Sequence, residues 1–189
     1  MAPISVILLL GLILFWGVSL QNVLKNKEKV TRDRSDSPVS TGFILALLGS
    51  LGMFAESLAL IALGFTGNID IGIGVAQGFG LFQFFSGCVL HAWSVTVRGR
   101  YAVTWAMSND QRLITVAPYS IVRHPSYLGY MLMIIGVTLI WQMWFTLFPW
   151  VAIPGYVMVS RREEELLLDH FGDEYRLYME QVGALTPKL

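Results

Sequence analysis

Two segments, Leu113–Tyr130 (LITVAPYSIVRHPSYLGY) and Arg161–Val182 (RREEELLLDHFGDEYRLYMEQV), carry most of the side chains that could bind or transform a ligand. In the first, Pro125 marks a helix start, because proline at the first helical position gives up only an N–H that has no partner there. His124 then takes the capping position, and the amides of Ser126, Tyr127 and Leu128 are expected to be unpaired. Free amides and the helix dipole favour an anion, with Arg123 and His124 beside them. An amino-acid carboxylate fits such a place. The same residues also suit an anchor at a membrane interface, with Tyr127 and Tyr130 as belt aromatics.

The second segment continues an apolar stretch as a helix with Arg161, Arg162, Glu163, Glu164 and Glu165 on its first turns. Gly172 suits a helix stop and Asp173 the cap of a new helix, with Tyr175 and Tyr178 on one face. This predicts an amphipathic helical hairpin. Pairs of Arg161 or Arg162 with Glu165 are the mundane account of the charges, worth about 0.2–0.5 kcal/mol each on a helix surface.

The elements that position these segments are apolar. Of 189 residues, 54% are hydrophobic and only 14% charged, against roughly 25% charged in a soluble domain. Ile4–Leu20, Gly42–Phe65 and Ile71–Trp93 each supply about the 20 apolar residues a span needs. Tyr127–Val159 is too long for one span and is interrupted by Gln142, Pro149 and Pro154, so it reads as two short helices. Lys and Arg gather on the cytoplasmic side of short loops. All 13 fall after the first run, after the third, or after Val159, and none lies in Thr66–Asp70 or Trp141–Trp144. Five crossings with the N-terminus outside put every one of them inside. The fold expected is therefore an all-α integral membrane protein, one domain over 1–189, with spans at about 3–22, 42–65, 71–95, 126–141 and 144–160. The last two form a hairpin, and the polar segments 98–125 and 161–189 lie in the cytoplasm. The first run lacks the basic leader of a secretory signal and reads as a retained helix.

Other residues invite functional readings that the spacing does not support. Gly72, Gly74, Gly78 and Gly80 superficially match a dinucleotide fingerprint, but no strand precedes them and no acidic partner follows. Small residues one turn apart instead let membrane helices approach closely. His91, His124 and His170 show no metal-ligand spacing, and Cys88, the only cysteine, can form no internal disulfide. His91 reads as a satisfied packing residue. Glu56, near the middle of the second span, is either a protonated structural group or the lining of a substrate cavity. A zero net charge without a basic stripe gives no sign of a nucleic-acid partner.

Taken together, the motifs L-[IV]-T-x-x-[PV]-Y, R-H-P-x-Y-x-G and E-E-x-x-L-x-x-x-F-G-x-E-Y-x-x-Y resemble those of the isoprenylcysteine carboxyl methyltransferase family and the related phospholipid methyltransferases. The resemblance covers about Leu113–Val182 and implies S-adenosylmethionine as cofactor, with S-adenosylhomocysteine as product and no metal. It implies a cofactor site built from Gln111, Arg112, Leu113, Ile114, Tyr119, His124, Pro125, Ser126, Tyr127 and Glu163, at the cytoplasmic boundary of the membrane. Glu163, Glu164, Arg161 and Arg162 would be the catalytic set, and the acceptor a lipophilic molecule entering from the bilayer. Relatives that methylate a carboxylate carry an Arg one turn before the first Glu. Here that position is Val159, so Arg161 or Arg162 would have to take over its contact.

Methyl transfer from a sulfonium needs alignment and removal of water. A carboxylate acceptor is already ionised and needs an Arg to orient it. An amine acceptor must lose a proton, which Glu163 or Glu164 could accept if burial raised its pKa. The favoured expectation is carboxyl methylation of a prenylated-cysteine-like substrate. N-methylation of a phospholipid amine is the alternative, and a small membrane transporter or assembly protein the non-enzymatic one.

Overall fold

The computed structural model describes residues 3–26, 40–69, 72–101 and 111–188. Among these, the regular elements are helices: α1 (Pro3–Asn26), α2 (Thr41–Phe65), α3 (Val75–Arg98), α4 (Pro125–Trp141), α5 (Ala152–Phe171) and α6 (Asp173–Gln181). Short 3-10 segments occupy Gly99–Tyr101 and Trp144–Val151. The only ladder contact among the described residues is an isolated parallel bridge between Val122 and Gly183. Three helices, α1, α2 and α3, are long and apolar enough to cross a membrane, as in a membrane protein. Expectations for the basic loop over 27–39, the start of the third run at 70–71 and the 102–110 part of the polar segment lie outside the described residues.

Burial explains why the bundle closes as it does. Leu8, Met53, Phe84, Met133, Ile134 and Ile140 are fully buried, whereas Leu10, Ile13, Leu51, Leu58 and Phe82 are exposed on the outer faces. An apolar exterior over an apolar core suits lipid, which does not penalise it. Helix pairing is then decided by how closely backbones can approach. α3 and α4 run antiparallel through Gly80 against Gly136 and Gly87 against Gly129; a Cβ on Gly136 would lie 2.6 Å from the Gly80 carbonyl oxygen. α2 meets α5 in the same way, with Gly49 against Ala152 and Gly155 against Gly42 and Ala46. Of the four glycines at the start of the third run, only Gly80 serves close packing. Gly72 faces open space and Gly74 caps α3.

The helix expected over 144–160 differs from what is observed. α4 ends at Gln142 in the left-handed conformation (φ 53°), and the chain turns back as a 3-10 segment before α5 begins at Ala152. Pro149 withholds an N–H inside that segment, while Pro154 falls in the first turn of α5, where none is needed. The indole N–H of Trp150 donates to Thr138 Oγ1 at 3.0 Å and fastens the segment to α4. α5 then continues without a break through Arg161–Glu165 to Phe171, where Gly172 (φ 56°) reverses the chain. Gly172 itself caps α6, and Asp173 is its first residue.

Candidate functional site

One end of the bundle gathers the end of α3, the start of α4, the polar half of α5, and α6. As expected, α4 begins at Pro125 with His124 at the capping position. The Leu128 amide, expected to be free, donates to the His124 carbonyl at 3.1 Å. The loop before α4 is held by the chain's C-terminal segment. Arg123 and His124 donate their backbone N–H groups to the carbonyls of Gly183 (2.8 Å) and Ala184 (3.0 Å). The Tyr178 hydroxyl donates to the Tyr119 carbonyl at 2.6 Å.

Four charged side chains meet here and are almost removed from water. Glu164 Oε1 accepts from Arg123 Nε at 2.9 Å, from Arg123 Nη2 at 2.7 Å and from His124 Nε2 at 2.8 Å. His124 Nδ1 lies 3.5 Å from Glu163 Oε2, and the Tyr127 hydroxyl donates to Glu163 Oε1 at 2.8 Å. Burial opposes charge on His124, but a carboxylate at each ring nitrogen outweighs it, and its pKa is raised. Burial likewise works to raise the Glu164 pKa, yet the hydrogen bonds from His124 and Arg123 prevail and hold it below the ordinary carboxylate range. Two cations thus meet two anions, which is how buried charge is tolerated. Glu164 takes all three of these donors on Oε1. Glu163, with one short hydrogen bond and one longer contact, keeps capacity to accept more.

Beside this cluster opens a cleft of about 680 Å³, counting the space that merges with solvent. Of the expected cofactor residues, Gln111, Arg112, Leu113, Ile114, Tyr119, His124 and Glu163 line it. Pro125, Ser126 and Tyr127 do not. Ser126 turns away to His91 on α3, with 2.8 Å between Ser126 Oγ and His91 Nδ1. The opposite ring nitrogen lies 3.0 Å from Ser19 Oγ, which itself donates to the Phe15 carbonyl at 2.8 Å. Ser19 therefore accepts from Nε2–H, and Ser126 Oγ pairs with Nδ1. His91 is a three-helix tie, stacked on Phe15 at 4.1 Å, as its packing reading anticipates. Tyr127 acts behind Glu163 and stacks on His124 and Tyr156.

Glu164, Arg161 and Arg162 do not line the cleft either. Arg162 pairs with Glu165 at 2.8 Å in an exposed i,i+3 bridge, and Arg161 is exposed. Glu56 lies outside the cleft; its Oε2 is buried without a hydrogen-bond partner, and its carbonyl accepts from the Trp141 indole at 3.4 Å. Sequence reasoning missed several cleft residues: Arg98, Tyr101, Leu166, Leu167, Tyr175 and Tyr178. Leu166 and Leu167 were findable, since they stand three and four residues after Glu163 and share its helix face. Arg98 is the consequential omission. Its Nε is buried and has no hydrogen-bond partner, and such groups in native proteins call for an explanation.

The fold and site thus define a helical membrane protein with a charged cleft at one end of its bundle, lined by Glu163 and by Arg98, both with hydrogen-bonding capacity to spare. The phospholipid methyltransferase family model matches residues 75–174, from the start of α3 into α6 and just over half of the chain. The chain belongs to this family, within which the resemblance to isoprenylcysteine carboxyl methyltransferases also falls. It is 32% identical over 122 residues to the protein-S-isoprenylcysteine O-methyltransferase of Tribolium castaneum, a match covering 59% of this chain and 41% of that protein. The chain therefore aligns with less than half of that relative's length.

Proposed function

We propose that this protein is an S-adenosylmethionine-dependent methyltransferase that esterifies the carboxylate of a lipophilic, prenylated-cysteine-like acceptor. The observation that carries this reading is one cleft lined both by Glu163, with accepting capacity to spare, and by Arg98, whose Nε is buried without a partner. When bound, S-adenosylmethionine supplies an electrophilic methyl group, whose transfer to a carboxylate oxygen breaks a C–S bond, forms a C–O bond and moves no proton. The chain's own residues have matching tasks. Glu163, oriented by Tyr127, pairs with an ammonium group. Gln111–Ile114 and Tyr119 supply a wall of mixed polarity. Arg98 orients the acceptor carboxylate, the task that Val159 cannot perform and for which the exposed Arg161 and Arg162 are badly located.

The occupancy of the charges argues for a carboxylate over an amine. His124 is held between two carboxylates and Glu164 by two cations, so neither is free to take a proton. N-methylation of a phospholipid amine stays as the second reading, because Glu163 retains accepting capacity and because of the family's description. We also propose that α4 and the returning segment with α5 complete five crossings. That topology puts the cleft in the cytoplasm and the N-terminus outside.

Transfer of a labelled methyl group to a farnesylated cysteine analogue and, in parallel, to phosphatidylethanolamine tests the acceptor. Base-labile product from the first is expected; base-stable product from the second alone overturns carboxyl methylation. Equilibrium binding of S-adenosylhomocysteine to the detergent-purified protein tests the cofactor, and no binding sinks the enzymatic reading in favour of a transporter or assembly role.

A further inference from the structure

We infer that the C-terminal segment from Gly183 to Lys188 is a strap that sets the separation of the two walls of the cleft, and that Gly183 is its positioning residue. The inference rests on the cofactor reading of the cleft given above. One wall is the loop carrying Arg123 and His124; the other is α5 and α6, carrying Glu163. Nothing in α4 can pair the backbone N–H groups of Arg123 and His124, because both precede the helix. The strap pairs them instead, through the carbonyls of Gly183 and Ala184.

The same segment closes the end of α6. The last carbonyls of a helix have no partner within it. Lys188 Nζ donates to the carbonyls of Met179 and Glu180 at 2.8 and 2.9 Å. The Arg123 guanidinium donates to the Val182 carbonyl and, at 3.4 Å, to that of Met179. A cation from the first wall and a cation from the strap thus cap one helix of the second. Arg123 reaches Glu164 with the same guanidinium, so a shift of the strap is passed to the carboxylate that holds His124.

Gly183 is where this arrangement tolerates no side chain. The segment folds back so tightly that a Cβ there would clash with the Thr186 carbonyl oxygen, with the Lys188 backbone nitrogen 3.5 Å away. The obstacle is backbone, so a side chain at 183 must displace the segment itself. Lys188 would leave α6, and the Gly183 and Ala184 carbonyls would leave the loop. The helices α1, α2 and α3 have no part in these contacts.

The test is calorimetric titration of full-length, detergent-purified Gly183→Ala with S-adenosylhomocysteine, reading affinity and stoichiometry separately. A positioning role predicts affinity weaker by about tenfold, the loss of roughly one hydrogen bond's alignment, with stoichiometry unchanged. A merely structural role predicts the reverse: fewer competent molecules, each binding with native affinity. That result, or no change in either quantity, overturns the strap. Lys188→Ala releases only the far end and should weaken affinity by a smaller factor; it carries the same test if Gly183→Ala does not fold. Failure of the underlying reading is distinguishable, because the unmodified protein would then bind no S-adenosylhomocysteine at all.

Discussion

Replacing Arg98 by methionine separates function from stability, and the structure supplies both sides of the comparison. Arg98 lies in the last turn of α3, where a cation gains about 0.3–1 kcal/mol from the helix dipole. Its Nε is buried and unpaired, a state that costs about 1–3 kcal/mol. These two contributions oppose each other, the nearby Glu163 carboxylate adds an attraction for the charge, and methionine keeps most of the stem's apolar contact, so the folded protein should lose only modest stability. Catalysis should respond differently. A hydrogen bond from a charged donor to the acceptor carboxylate is worth about 1.5–3 kcal/mol, or roughly ten- to a hundredfold in KM. The assay pairs methyl transfer to a farnesylated cysteine analogue with a thermal melt of the same preparation. S-adenosylhomocysteine affinity should stay near that of the unmodified protein. A sharply lowered Tm with an unchanged acceptor KM would refute the reasoning, since Arg98 would then be a structural residue.

The charge cluster predicts a pH window for the docking of α6. The raised His124 pKa gives a contribution fully present below the ordinary histidine value of 6.5 and lost as pH climbs through the raised value. The lowered Glu164 pKa gives one fully present above 4.5 and lost as pH falls through the lowered value. Hydrogen exchange of residues 173–188, corrected for intrinsic rates, should be slowest between those limits, and a flat profile counts against the cluster. Gly87→Val forces a branched side chain into the Gly129 carbonyl and Met133 Cγ, 2.7 Å from the position of a Cβ, and should destabilise the bundle by about 1–3 kcal/mol. Gly17→Ala, inside α1 with nothing within 4 Å, should leave the melt no lower and raise it slightly, since Ala is favoured over Gly by about 0.5–1 kcal/mol in a helix interior. A cysteine at Asn68 should be labelled from outside intact cells, with Cys88 buried and silent; labelling only after lysis would reverse the orientation.

How far the sequence reveals this depends on the range of each interaction. Pro125 and Gly172 act through their own backbone, and α4 and α6 begin beside them. The 3-10 path of Trp144–Val151 is less legible, because Pro149 announces an interruption but the turn's shape depends on Trp150 reaching Thr138. The motif places Ser126 among the site residues. Its partner His91 stands 35 residues away, and no local pattern records that pairing. Arg98 is hidden for the same reason: apart from Tyr101, the residues that line the cleft with it come from the 111–124 loop, α5 and α6. Glu163 and Glu164 are adjacent in sequence yet unequal in use, because only the fold brings Arg123 and His124 together on the second of them.

The glycine contacts between α3 and α4 have a mechanical consequence. Two helices locked carbonyl to backbone at Gly80–Gly136 and Gly87–Gly129 have little freedom to slide past each other. Arg98 ends one of them and His124 begins the other. When a bilayer thickens or thins, apolar helices respond by tilting. This pair would tilt as one stiff strut, carrying Arg98 and His124 together and conserving the distance between them. Bilayer stress would therefore register where the strut meets α5, at the contacts of His124 and Tyr127 with Glu163, Glu164 and Tyr156, leaving those side chains to absorb deformation on behalf of the cleft.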